Sequence, residues 1–141
     1  PGMTPRPIGK VASGGELSRI SLAISVTTSQ LGTAPTLVFD EVDSGVGGAV
    51  AETVGRLMRQ LGRDRQVLAV THLPQVAAYA DHHLMVSKRR DAAGTTSTVT
   101  PVLGDLRVAE VARMLGGERP TGTSLAHASE MLSLANTPQK G

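Results

Sequence analysis

Two adjacent carboxylates, Asp40 and Glu41, directly follow an apolar run, Thr36-Leu37-Val38-Phe39. Side chains alternate across a strand, so neighbouring acids at its end point in different directions. One can enter the shell of a divalent cation while the next faces an attacking water, a division of labour that phosphoryl-transfer sites use. A plain acidic loop is the ordinary alternative. His72 closes a second apolar run, Gln66-Val67-Leu68-Ala69-Val70-Thr71, 32 residues after Asp40. Alone, a carboxylate after a strand caps a turn, and a histidine there is a satisfied polar group. The two gain meaning together if their strands are parallel neighbours, because ligands bind just outside the carboxyl ends of open parallel sheets. A third segment, Ser13-Gly14-Gly15-Glu16-Leu17-Ser18-Arg19, reads as the start of a helix. Its glycines let a ligand approach the backbone closely, and the free N–H groups and positive dipole end suit a phosphate. A small-residue helix cap is the competing reading.

The elements that must position these residues follow from periodicity. Leu17, Ile20, Ile24 and Leu31, with Thr27 in the gap, fall on one face of a helix over Gly15–Leu31. Ser13 and Glu16 form its capping box, and Gly32 is its stop. The two apolar runs predict buried parallel strands. Between them lie a glycine-rich loop, Ser44 to Gly48, and a helix with Val50, Val54, Leu57 and Leu61 on one face, ending at Gly62. Strand, helix, strand predicts a right-handed βαβ crossover, which carries Asp40 and His72 to one rim. Further on, a short helix is expected near Gln75–Ala80 and strands over Leu84–Lys88 and Thr96–Leu103, joined by the polar link Arg89–Thr95 as a hairpin. Two helices, Leu106–Leu115 and Ser124–Ala135, close the chain. The class is α/β, in one domain over residues 13–135, with an irregular lead-in over 1–12 and a polar tail over 136–141.

Composition narrows the function classes. Hydrophobic residues make up 40% of the chain, yet Phe39 and Tyr79 are its only aromatics, so the core must be aliphatic. No run approaches the roughly 18 apolar residues of a membrane-spanning helix, and no signal sequence opens the chain. The absence of cysteine removes disulfides and thiolate metal sites and is compatible with a cytoplasmic protein. A net charge of +2 does not announce nucleic-acid binding. Lys88-Arg89-Arg90, the densest basic cluster, reads either as a solvated hairpin end or as a phosphate contact, the former being the ordinary case.

In order along the chain, Ser-Gly-Gly-Glu at a helix start, an apolar strand ending Asp-Glu, and a strand ending Thr-His resemble the second half of an ABC ATPase head. They match its signature motif, Walker B motif and switch histidine. The wording Val11-Ala12-Ser13-Gly14-Gly15-Glu16-Leu17-Ser18-Arg19, Phe39 through Gly48, and Val70-Thr71-His72-Leu73-Pro74-Gln75-Val76-Ala77 is similar to the RecN branch, SMC-like proteins of bacterial double-strand-break repair. The likeness continues through Val86-Ser87-Lys88 and Val108 to Gly117, and covers Lys10 to about Leu132. Val42 stands where transporter subunits usually have Pro, and Gly47 where they usually have Asp.

The resemblance implies a partial ABC-ATPase head, with a parallel βαβ core followed by a β-hairpin and helices. It implies two heads sandwiching ATP and Mg²⁺, with Ser13, Gly14, Gly15 and Glu16 closing on the γ-phosphate held by the other head. Asp40 would hold the Mg²⁺ shell, Glu41 would orient or deprotonate the water, and His72 would sense the γ-phosphate. Asp43, Ser44, Gly45 and Gly47 match the loop that meets its counterpart across the dimer. Implied partners are the N-terminal half of the same head, a second head, and DNA at ends or single strands, with no membrane; the implied location is the cytoplasm, at the nucleoid. Gly9-Lys10 is the one candidate for a phosphate loop, but Val11 replaces the required Ser or Thr and Thr4 the first Gly, so this chain alone is expected to be inactive. Two alternatives stay open: a transporter's nucleotide-binding subunit, and a non-catalytic or metal-binding module using Asp81-His82-His83, whose adjacent histidines point to opposite faces of an extended segment.

Overall fold

A computed structural model describes residues 32, 34–40, 45–117 and 119–138. The helix expected over Gly15–Leu31, the motif Ser13–Glu16, and Glu41, Asp43 and Ser44 lie outside the described residues. Two compact units meet in sequence at Tyr79 and Ala80.

In the first unit, β1 (Thr36–Asp40) pairs in parallel with β2 (Gln66–Val70). Leu37 and Phe39 turn to one face and are buried. The crossover is helix α1 (Gly48–Leu61), which ends at Gly62, whose N–H reaches Met58 O at 3.0 Å. Leu37, Phe39, Val46, Ala51, Val54, Met58 and Val76 form the core, with Val50, Leu57, Leu61 and Val67 at its margin. The fully buried stripe of α1 is Ala51, Val54, Gly55 and Met58. It lies to one side of the stripe Val50, Val54, Leu57 and Leu61 that hydrophobicity predicts. Small residues cause the offset. A Cβ on Gly55 would come 3.1 Å from the Val76 Cα and 3.2 Å from the Gln75 carbonyl oxygen, so α1 approaches α2 (Pro74–Ala77) backbone to backbone there. Tyr79 then reaches back, its hydroxyl donating to Glu52 Oε1 at 3.1 Å and its ring lying 5.8 Å below the Arg56 guanidinium.

The expected full burial of both strands is not found. Val38, Leu68 and Val70 are 67%, 46% and 55% exposed. Cα register pairs Val38 with Leu68 and Asp40 with Val70, so these side chains share the sheet face opposite α1. The described crossover covers one face only.

In the second unit, β3 (Leu84–Asp91) and β4 (Gly94–Pro101) form an antiparallel ribbon, followed by α3 (Gly104–Gly116) and α4 (Gly122–Ala135). The ribbon runs further than expected, leaving only Ala92 and Ala93 as its link. Gly94, at φ +132°, leaves the turn in a conformation other residues rarely adopt. Helix α4 begins at Thr121, whose hydroxyl accepts from Ser124 N at 3.1 Å while Ser124 Oγ accepts from Thr121 N at 2.8 Å, a reciprocal capping box. Val111 and Ala112 of α3 and Ala128, Leu132 and Ala135 of α4 are buried.

Candidate functional site

The site is built on the carboxyl rim of the β1–β2 pair. Asp40 is the last residue of β1 and pairs with Val70, the last of β2; His72 follows two residues later. Parallel pairing therefore brings both to the same edge, and both are exposed there. The separation of paired strands is about 4.8 Å, so the two residues stand within reach of one small ligand.

Local chemistry fixes each side of this rim. After β2, the Thr71 hydroxyl accepts from Leu73 N at 3.0 Å and turns the chain. Pro74 then opens α2 at a position where its missing N–H costs nothing. His72 is thus held between a strand end and a side-chain-closed turn. Ahead of α1, Gly45 adopts φ +76° and Val46 drops into the core. Gly47 caps α1 without a side-chain bond, its carbonyl accepting from Ala51 N at 2.9 Å. Gly47 itself therefore offers the first N–H groups of α1 no side-chain cap.

Gln75 is an addition that hydrophobic patterning could not supply. A Cβ on Gly48 would lie 3.4 Å from Gln75 Nε2, so this amide sits against the first residue of α1. Its Oε1 is buried with no hydrogen-bond partner among the described residues. A polar side chain seldom keeps a buried acceptor unpaired without a use for it. The clue in the sequence is only that Gln follows the Leu73-Pro74 turn.

Asp40, His72, Gly45 and Gly47 are thus placed along one βα edge. No group of three or more His, Cys, Asp or Glu residues able to hold a metal occurs among the described residues, and Asp81, His82 and His83 do not make one. Among the described residues Asp40 is the one carboxylate at this rim, and Mg²⁺ is usually bound by one or two carboxylates together with phosphate oxygens and water.

A different charged cluster lies in the second unit. Glu110 is buried and takes two bonds from Arg113, Nη2 to Oε1 at 2.6 Å and Nε to Oε2 at 2.9 Å. This pairing holds its carboxyl below the usual range against the opposing effect of burial. His83, half-buried, is pushed down by burial and then by the charge of Arg107, with Glu110 opposing. Arg107 Nη2 donates to Ala80 O at 2.6 Å, and Val102 N donates to His83 O at 3.0 Å. The cluster ties the root of the ribbon to α3 and has a structural role.

No helix among the described residues is long and apolar enough to cross a membrane. No protein-family model matches the chain. It is 51% identical over 135 residues to the DNA repair protein RecN of Vibrio cholerae, covering 96% of this chain and 24% of that protein. It is 50% identical over 135 residues to RecN of Streptomyces coelicolor, and 53% identical over 135 residues to RecN of Mycobacterium leprae, which it covers to 24% and 22%. The chain therefore spans about a quarter of the length of these relatives. A solved structure from work on ATP-driven dimerization and DNA-stimulated activation of SMC ATPases superposes with a TM-score of 0.60 at 21% identity, over 79% of this chain and 66% of that one. The fold is that of an SMC ATPase head, and over the quarter of their length that it spans the chain is about half identical to RecN proteins.

Proposed function

We propose that this chain supplies the signature, Walker B and switch-histidine part of an ATP-hydrolysing head in a RecN-type DNA repair and recombination protein. The observation that carries the reading is the shared rim of Asp40 and His72 on parallel strands, in a chain about half identical to RecN. Asp40 would hold the Mg²⁺ shell, which supplies charge neutralisation on the phosphates when bound. Glu41, the next residue, would orient the attacking water or take its proton. His72 would donate to the γ-phosphate, and Ser13, Gly14, Gly15 and Glu16 would close on the nucleotide of a second head. Asp43, Ser44, Gly45 and Gly47 would line the seam between the two heads. The domain would be the C-terminal half of a head over residues 13–135, flanked by a lead-in and a tail. Such a protein would work at the nucleoid, on DNA ends or single strands.

The exposed strip of Val38, Leu68 and Val70 supports a further part of this reading, that the N-terminal half of the same head packs on this sheet. The three side chains share one face and have no role in water.

The test is a substitution in the full-length protein that carries this segment. Glu41→Gln keeps the shape of the side chain and removes the base. It should leave ATP binding intact and cut turnover by about 10²–10⁴-fold. Near-normal turnover in that variant removes Glu41 from the role. Ser13→Arg should instead abolish ATP-dependent pairing of heads, read by light scattering, with nucleotide affinity kept.

A further inference from the structure

The excess charge of this chain is localised. Fourteen Lys and Arg against 12 Asp and Glu leave +2 over 141 residues. Between Leu84 and Pro101 the charged residues are Lys88, Arg89, Arg90 and Asp91, which is 3 − 1 = +2. The rest of the chain therefore sums to zero, and all of the surplus sits on the β3–β4 ribbon.

The one acid does not neutralise its neighbours through an ion pair. Asp91 Oδ1 accepts from Ala93 N at 2.9 Å and closes the turn. None of Lys88, Arg89 and Arg90 forms an ion pair among the described residues. All three are exposed, as is every residue of the ribbon except Met85. Each cation also stands opposite a hydroxyl: Lys88 pairs with Ser97, Arg89 with Thr96 and Arg90 with Thr95. Lys88 and Arg90 share one face and Arg89 takes the other. Same-face cations are about 7 Å apart, two strand rises.

Lys, Arg, Ser and Thr are the side chains that bond phosphate oxygens of a nucleic-acid backbone. A two-stranded ribbon also has the width that the major groove of B-DNA admits. We propose that the β3–β4 ribbon is a docking element for double-helical DNA, its tip entering a groove with Lys88, Arg89 and Arg90 on backbone phosphates and the β4 hydroxyls completing the contacts. An acidic protein surface would be served by the cations alone, whereas the matched row of hydroxyls favours phosphate. The ribbon needs neither ATP nor the Asp40 rim, so this inference stands apart from the ATPase reading.

The experiment is fluorescence anisotropy of a labelled short duplex with the purified chain. Three neutralised phosphates predict an affinity loss of about 40-fold between ~50 and ~200 mM salt. K88A/R89A/R90A should lose this salt-dependent binding, while the charge-keeping K88R/R89K/R90K retains it and R63A, a change at an exposed arginine elsewhere, leaves it unaltered. Should the triple-alanine variant fail to fold by circular dichroism, R90A alone should lower the slope of log affinity against log salt by about 0.9. Parental affinity and slope in the alanine variants would overturn the proposal. Equal or tighter binding of polyglutamate, or of anionic vesicles, would overturn it in favour of an acidic protein or a membrane surface.

Discussion

A single missing methyl group holds the first unit together at Gly55. Its Cβ position is occupied by the backbone of Val76, the Gln75 carbonyl and, at 3.0 Å, the ring of Tyr79. Gly55→Ala would normally strengthen a helix, by about 1 kcal/mol of propensity. Here overpacking against backbone should dominate and destabilise by about 1–3 kcal/mol, read by urea unfolding. A stabilised variant would show that α2 can move away from α1. Hydrophobic patterning alone could not reveal this, because a glycine carries no apolar signal and its value lies in what approaches it. Asp40 and His72, by contrast, were legible from residue type and position at strand ends. Gln75 was not, since an amide after a turn looks like any solvated polar group.

Acid should loosen the second unit in two stages, also at this scale. His83 binds its proton less readily in the fold than its ordinary value of 6.5 allows. The unfolded chain therefore takes up more protons below that pH, and stability present above about 6.5 is lost as pH falls through the folded value. Arg107, Glu110 and Arg113, all on α3, are the charged groups that face it. Glu110, lowered from 4.5 by Arg113, adds a second loss below that value. His83→Gln should remove the first stage and leave the second, measured as urea midpoints across pH. A variant that keeps the loss between neutral pH and 4.5 would exclude His83 as its source.

Among the elements, the ribbon departs most from expectation. Alternation of apolar and polar residues marks a strand only where one face is buried, and here both faces meet solvent over most of the length. Arg89, Arg90 and Thr95 therefore read as a loop although they pair across the ribbon. Helices α1, α3 and α4 were legible because each has one covered stripe and a glycine near an end. Gly94 is the ribbon's most constrained position, and Gly94→Val at φ +132° should cost about 1–2 kcal/mol. Amide exchange should then quicken across β3 and β4 while α1 keeps its protection. Unchanged exchange in the ribbon would show that the turn tolerates a side chain.

For the molecule as a whole, the proposed roles of Asp40, Glu41 and the Ser13–Glu16 motif would complete a nucleotide site without founding one. Most ground-state affinity in this class of site comes from a phosphate loop and its lysine, and Gly9-Lys10-Val11 does not have the residues for it. Titration of the purified chain with Mg-ATP should give an affinity no tighter than about millimolar, roughly −4 kcal/mol. Saturable micromolar binding would refute the division of the site. Hydrolysis recovered on adding the N-terminal portion of a RecN relative would support it directly.

The sheet face bearing Val38, Leu68 and Val70 also has consequences for handling the protein. Among the described residues β1 and β2 hydrogen-bond only to each other, and within that set each has an unpaired edge beside the apolar strip. An unpaired edge next to exposed aliphatic side chains templates strand addition from other copies. The chain should therefore be prone to self-association as its concentration rises, and to capture by holdase chaperones during synthesis. Val38→Lys, on the exposed face, should raise its solubility limit without disturbing Leu37 or Phe39. A solubility unchanged by that substitution would mean that the strip does not govern aggregation.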